Sequence, residues 1–196
     1  MGMVTAQFTM SLDGFIAGPE DDVWPLFKWY SSGDVPFQAP GTDREFKISR
    51  ASADLLQAEW ARLGAIVTGR RDFDVSGAWD GSPPLGVPTF IVTHSAPQEW
   101  AKEGSPFTFV TDGVESAVEQ ARRAAGGKNV GVGGSKIVQQ CLKAGLLDEI
   151  QIDLAAMLLG SGVRLFDDLD SMPIELEIAG VVEGAGVTHI RYRMVK

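Results

Sequence analysis

Cysteine is almost absent from this 196-residue chain: Cys141 is the only one, which excludes an intramolecular disulfide. With two histidines beside it, the soft ligands are too few for a structural zinc site. No apolar run reaches 18 residues, and the first residues lack the basic-then-apolar order of a secretory signal. Ala6 stands where a myristoylation motif requires Ser or Thr. The expectation is therefore a soluble, cytoplasmic protein with no membrane partner. Positive charge is also scarce. Lys and Arg number 17 against 26 Asp and Glu, a formal charge of −9 that repels nucleic acid and anionic membrane surfaces. An anionic ligand must then be met by a local basic cluster. Internal repeats and low-complexity tracts are absent too.

What remains is ordinary globular material, 44% hydrophobic and 22% charged, enough for one domain over residues 1–196. Val4 to Met10 reads as a strand running into a turn at Asp13-Gly14. Residues 17–44 form a long mixed connection around Trp24, Phe27, Trp29 and Tyr30, either a cap over a ligand ring or a small satellite core. Thr42 and Glu45 have capping-box spacing, and the period through Leu55, Leu56, Glu59, Trp60 and Leu63 predicts a helix after them. Apolar runs at 65–68, 88–93 and 107–111 read as buried strands. Asp112 and Glu115 are placed to cap a helix that runs to about Ala125 and stops at Gly126-Gly127. A fourth strand, 129–132, leads through Gly133-Gly134-Ser135 into a helix closed by Gly145. Strand 150–154 follows, then a hairpin around Gly184-Ala185-Gly186. In its last strand Ile190, Tyr192 and Met194 would be buried, with His189, Arg191 and Arg193 wet. The pattern predicts an α/β fold with a mainly parallel sheet and antiparallel strands late in the chain.

In such sheets ligands bind beyond the carboxyl ends of the strands. The residues there are Gly69-Arg70-Arg71, Thr93-His94-Ser95, Thr111-Asp112 and Gly133-Gly134-Ser135-Lys136. Glycine lets a backbone approach phosphate, free N–H groups at a helix start bind an anion, and arginine adds bidentate contacts. One reading is a cradle for two phosphate-bearing arms. The other is a solvated Arg-Arg pair and a turn that serves backbone geometry only. A dinucleotide fingerprint starting at Gly131 fails because Lys136 replaces its third glycine, and neither a P-loop nor a GxSxG elbow is present. Cys141 falls on an apolar helix face, a packing position. Asp153 interrupts an otherwise apolar strand, so it either lines a pocket or faces outward beside Gln151.

Several pieces together resemble the dihydrofolate reductase-like superfamily, nearest to the reductase (C-terminal) domain of the bifunctional deaminase–reductase of riboflavin biosynthesis. They are Met10-Ser11-Leu12-Asp13-Gly14-Phe15-Ile16-Ala17, Val67-Thr68-Gly69-Arg70-Arg71-Asp72-Phe73, Val132-Gly133-Gly134-Ser135-Lys136, Gly145-Leu146-Leu147-Asp148-Glu149-Ile150, and Leu158-Leu159-Gly160-Ser161-Gly162 with Leu165-Phe166. They occur in the family's order and span most of the chain.

The resemblance implies a three-layer fold, with helices on both faces of the sheet, and an NADPH-dependent reductase. It would transfer a hydride to a small planar heterocycle, pteridine- or aminopyrimidine-like, or to a sugar-derived substrate, as 5-amino-6-(5-phosphoribosylamino)uracil reductase does. By motif match Val132, Gly133, Gly134, Ser135, Lys136 and Ile137 would hold the pyrophosphate. Gly69, Arg70 and Arg71 would hold the adenosine side, Thr93, His94 and Ser95 the 2′-phosphate, and Ile16 and Ala17 the nicotinamide. Asp153 would point into the substrate region as the catalytic candidate, the proton coming from it or from water, and Asp13, Trp24 and Phe27 would touch the substrate. Residues 18–46 depart from the folate-reducing pattern, leaving Asp21, Asp22 and Asp43 as candidates for its acidic helix residue. True dihydrofolate reductase is one alternative, and a non-catalytic nucleotide-binding dimer module another. The partner deaminase's zinc motif is missing, so only the reductase half is present. The family's frequent homodimers would use the Leu158–Phe166 segment and the C-terminal hairpin.

Overall fold

A computed structural model describes residues 2–40, 44–167, 169 and 173–195. In chain order the elements are β1 (Val4–Ser11), β2 (Phe15–Ala17), β3 (Val35–Gln38), β4 (Glu45–Ile48), α1 (Arg50–Ala61), β5 (Leu63–Gly69) and α2 (Arg70–Val75). There follow β6 (Thr89–Val92), β7 (Phe107–Val110), α3 (Val114–Ala124), β8 (Asn129–Val132) and α4 (Ser135–Lys143). The chain ends with β9 (Glu149–Ala155), β10 (Val163–Arg164), β11 (Leu176–Gly184) and β12 (Val187–Met194). The fold is mixed α/β with a mostly parallel central sheet and antiparallel strands near the C-terminus.

The chain divides into two compact units. The first takes the chain up to Ala6 and Arg62–Leu147. Its strands run β1-β8-β5-β6-β7, and the four neighbouring pairs are all parallel. Both faces are buried here, as the consecutive buried residues Val67-Thr68 in β5 and Val130-Gly131-Val132 in β8 show. Helix α3 packs Val114, Ala117, Val118 and Ala121 inward, the i, i+3, i+4, i+7 stripe of an amphipathic helix. A second cluster places Phe73 edge-on to Trp100, Phe107 and Phe109.

The second unit takes Gln7–Ala61 and the chain from Asp148 onward. There β12 lies antiparallel between β11 and β9, pairing His189 with Asp153 and Arg191 with Gln151. Trp29, Phe37, Ile48, Ala53, Leu56 and Val187 form its core, with Tyr30, Phe46 and Trp60 packed against them. At Gly162 an added Cβ would collide with the Ala17 carbonyl, so this approach to β2 tolerates no side chain.

Four expectations need correction. Glu45 opens strand β4 rather than the first turn of a helix, because Phe46 and Ile48 pair with Phe37 and Val35 of β3. Its capping partner Thr42 lies outside the described residues. The helix begins at Arg50, and Ser49 caps it, its Oγ accepting the Ser52 N–H at 3.2 Å. Leu63 does not continue that helix but starts β5. The cap of α3 is Gly113, with no side-chain cap, so Asp112 lies one residue too early. Finally, β12 does not divide into one buried and one wet face. Arg193 is exposed as expected, but His189 is buried and Arg191 half-buried, while Ile190, Tyr192 and Met194 are only half-buried. The cause is α1, whose Ser52 and Glu59 bond His189 and Arg191 and cover the face that alternation alone marks as wet.

Candidate functional site

The four parallel strands β5 to β8 of the first unit end side by side. Gly69 stands opposite Val92, Val92 opposite Val110, and Val67 opposite Val132. The turns that follow are therefore gathered at one sheet end. At Gly133 an added Cβ would sit 3.0 Å from Thr68 Oγ1 and 3.4 Å from Asp72 Oδ2. At Gly134 it would meet Thr68 Oγ1 at 3.5 Å and the Gly69 nitrogen at 3.7 Å. The turn after β8 thus lies directly against the turn after β5, too close to admit a side chain at Gly133 without displacement. Gly134, at φ +76°, precedes α4, whose first turn turns its N–H groups toward this end.

Arg70 donates through Nε to both carboxylate oxygens of Asp74, at 2.8 and 2.9 Å, and through an Nη1–H to the Ser95 carbonyl at 3.3 Å. It thereby ties the turns after β5 and β6 together. Thr93 Oγ1 donates to the same carbonyl at 2.9 Å. Arg71, His94, Ser95 and Lys136 are exposed, and Val132 and Ile137 are buried beneath them. Asp72 accepts the Thr68 hydroxyl at 2.6 Å, and desolvation by burial raises its pKa from the ordinary carboxylate value against the lowering effect of that bond.

In the second unit Asp13 is a latch. It accepts from Ser11 Oγ at 2.6 Å, from the Leu159 N–H at 3.1 Å and from the Gly160 N–H at 2.7 Å, and these bonds hold its pKa down at about 2. Ile16 is half-buried and Ala17 buried, the latter paired with Val163. Trp24 is 56% exposed with the Arg44 guanidinium over its ring, and Phe27 meets Tyr30 at a tilt, ring centroids 5.3 Å apart. Trp29 and Tyr30 belong to the satellite core instead. Asp153 is buried and faces inward: its carboxylate accepts from Gln7, Gln151 and His189 at 2.8, 2.9 and 2.6 Å. The sequence reading missed His189 and Ser52. Their signal is a cross-strand register, which becomes visible only once β9 and β12 are known to pair antiparallel. Among the described residues no group of His, Cys, Asp and Glu could hold a metal ion. No described helix is long and apolar enough to cross a membrane.

A sequence profile described as the RibD C-terminal domain matches residues 2–190. The chain belongs to that family. No curated protein matches it. Among solved structures, a putative riboflavin biosynthesis protein from Shewanella sp. PV-4 superposes with a TM-score of 0.75 at 20% identity, covering 99% of each chain. A pyrimidine reductase-like protein from Corynebacterium diphtheriae gives 0.65 at 14% identity, over 100% of this chain and 92% of the other. The diaminohydroxyphosphoribosylaminopyrimidine deaminase/5-amino-6-(5-phosphoribosylamino)uracil reductase from Thermotoga maritima gives 0.62 at 14% identity. This chain covers 57% of that longer protein. At these identities the structural likeness establishes the fold.

Proposed function

We propose that the chain is an NADPH-dependent reductase acting on a small planar heterocyclic or sugar-derived substrate. Membership of the RibD C-terminal domain family carries the coarser statement, an oxidoreductase of the riboflavin-biosynthesis kind. The observation that supports the cofactor is the Gly133-Gly134 backbone that leads into α4, which carries no side chain at a helix start that has no side-chain cap. In this reading Gly133, Gly134, Ser135 and Lys136 hold the pyrophosphate. Arg70, Arg71, Thr93, His94 and Ser95 hold the 2′-phosphate side, with Gly69 leaving room at the turn. When bound, the nicotinamide would supply the hydride. Ile16 and Ala17 are its proposed neighbours on the motif match alone. Asp153 is the proposed proton donor, and Asp13 serves the substrate region indirectly by pinning the segment at Leu159-Gly160.

The test is loss of NADPH absorbance with 5-amino-6-(5-phosphoribosylamino)uracil, run beside dihydrofolate. Turnover of the first supports the proposal. Turnover of dihydrofolate alone supports a folate reductase, and tight NADPH binding without turnover supports a binding module.

A homodimer and a cytoplasmic location belong to the same proposal. On one face of the hairpin Leu176 pairs with Met194, Ile178 with Tyr192 and Val181 with Ile190. Ile178 and Val181 are 69% and 57% exposed, a stripe that a second copy would cover. Light scattering after size-exclusion chromatography should give twice the chain mass, and a monomer would refute the dimer.

A further inference from the structure

An acid stands against the turn that receives phosphate in the cofactor reading. A Cβ added at Gly133 would meet Asp72 Oδ2 at 3.4 Å, and one added at Gly134 would meet Asp72 Cβ at 3.8 Å. The sheet fixes this approach. β5 and β8 pair in parallel with Val67 opposite Val132, so the turns that follow them leave the sheet together. Asp72 lies in the first turn of α2, four residues past Thr68.

No cation neutralises this carboxylate. Oδ2 accepts the Thr68 hydroxyl at 2.6 Å, and among the described residues Asp72 has no other side-chain hydrogen bond and no ion pair. A carboxylate offers about four acceptor sites, so most of its capacity is unspent. Thr68 is 1% exposed and Asp72 half-buried, and this burial raises the Asp72 pKa against the lowering effect of the Thr68 bond. Helix α2 packs on β5, β6 and the turn at 77–81. On α2 itself Arg70 is committed to Asp74 and the Ser95 carbonyl, and Arg71 is exposed. β6 carries no charged residue and is followed by exposed His94. The turn at 77–81 carries exposed Asp80, and the start of α4 exposed Lys136. None of these charges moves the Asp72 pKa.

An ionised Asp72 and an anion at this turn repel each other in a partly desolvated place, where charges interact more strongly than in water. Protonation removes the repulsion and turns one acceptor oxygen into an O–H donor that a phosphate oxygen can accept.

We propose that a phosphate-bearing ligand binds at the Gly133-Gly134 turn together with one proton, which Asp72 takes up. This rests on the cofactor reading and adds the regulation of that same site. The proton comes from the buffer and returns to it on release, and no covalent bond to the ligand forms or breaks. Ligand and proton favour each other reciprocally, so affinity falls as pH rises through the titration of Asp72 in the free protein. Asp72→Asn keeps an oxygen for the Thr68 hydroxyl and removes the coupling.

The probe is NADPH, titrated by fluorescence from about pH 5 to about pH 8 on the wild type and on Asp72→Asn. The ratio of the two dissociation constants cancels the titration of the ligand's own phosphates and of His94. It should be near one at the acid end and reach about tenfold, with the wild type the weaker binder, at the alkaline end. Calorimetry between these limits, in buffers of different ionisation heat, should find more proton uptake by the wild type than by Asp72→Asn. A ratio that stays constant across the range, or tighter binding by the wild type at the alkaline end, overturns the proposal. If Asp72→Asn fails to fold, Thr68→Val decides. Losing the bond that lowers the Asp72 pKa should move the fall in affinity to higher pH, and an unmoved fall overturns the proposal. If neither chain binds NADPH at any pH, the cofactor reading fails and calorimetry with inorganic pyrophosphate takes its place. A ratio that grows with pH then keeps the coupling, and a constant ratio or no binding overturns it as well.

Discussion

Gly134→Ala tests the cradle at its most constrained point. Gly134 has φ +76° and ψ 128°, a combination open to glycine and strained for any L side chain. The nearest atoms to an added Cβ are Thr68 Oγ1 at 3.5 Å, the Gly69 nitrogen at 3.7 Å and Asp72 Cβ at 3.8 Å, all ordinary contacts. The cost is therefore conformational, about 1–3 kcal/mol, partly offset by about 0.4–1 kcal/mol from the less flexible unfolded chain. A net loss of about 0.6–2 kcal/mol corresponds to a Tm lower by roughly 1–8 °C in a chain of this size. Gly133→Ala fails for a different reason. Its Cβ would sit 3.0 Å from Thr68 Oγ1, which is already committed to Asp72 at 2.6 Å. Overpacking there costs about 1–3 kcal/mol. Thermal unfolding by circular dichroism reads both values, and NADPH fluorescence titration on the same samples reads the effect on phosphate approach. Wild-type Tm and wild-type NADPH affinity in Gly134→Ala would refute the constrained turn.

Other outcomes follow from single side chains. Because the Asp13 pKa is lowered to about 2, its contribution to stability is present above the ordinary carboxylate range and fades as pH falls toward 2. Asp13→Asn should therefore lower the Tm at pH 7 and match wild type near pH 2, and a constant difference across that window would contradict the latch. Asp72 has the opposite sign, a raised pKa whose stabilising contribution is lost as pH rises. Asp72→Asn should raise the Tm at pH 8 more than at pH 4, and a lower Tm at both would argue against the desolvation. Cys141 is fully buried, and desolvation helped by the Glu115 charge pushes its thiol up to about 12. It should resist thiol reagents at pH 8 until the protein is unfolded, and rapid labelling of the folded chain would contradict its packing.

The parts legible in the sequence are those fixed by local chemistry. Strand β8, the Gly133-Gly134 turn and helix α4 follow from one apolar run, two glycines and one amphipathic period, all within fifteen residues. The lines of β5, β6 and β7 are readable for the same reason. What escaped depends on partners distant in sequence. Glu45-Phe46-Lys47-Ile48 carries both a capping signal and a strand alternation, and the pairing of Phe46 with Phe37 decides between them. His189 looks solvent-facing because its neighbours in β12 are charged, but α1 covers that face. The bond between His189 and Asp153 follows from an antiparallel register that no local pattern announces. The aromatic group at 24–30 was readable as a cluster but not as a division between exposed Trp24 and buried Trp29.

The most direct measurement is the ratio of NADPH to NADH affinity in the wild type and in the Arg70→Ala, Arg71→Ala double variant. A charged contact to the 2′-phosphate contributes about 1.5–3 kcal/mol, so the wild type should prefer NADPH by about tenfold or more and the double variant should lose most of that preference. Equal affinity for both cofactors in the wild type, or no binding of either, would contradict a dinucleotide-phosphate cradle at the end of the parallel strands.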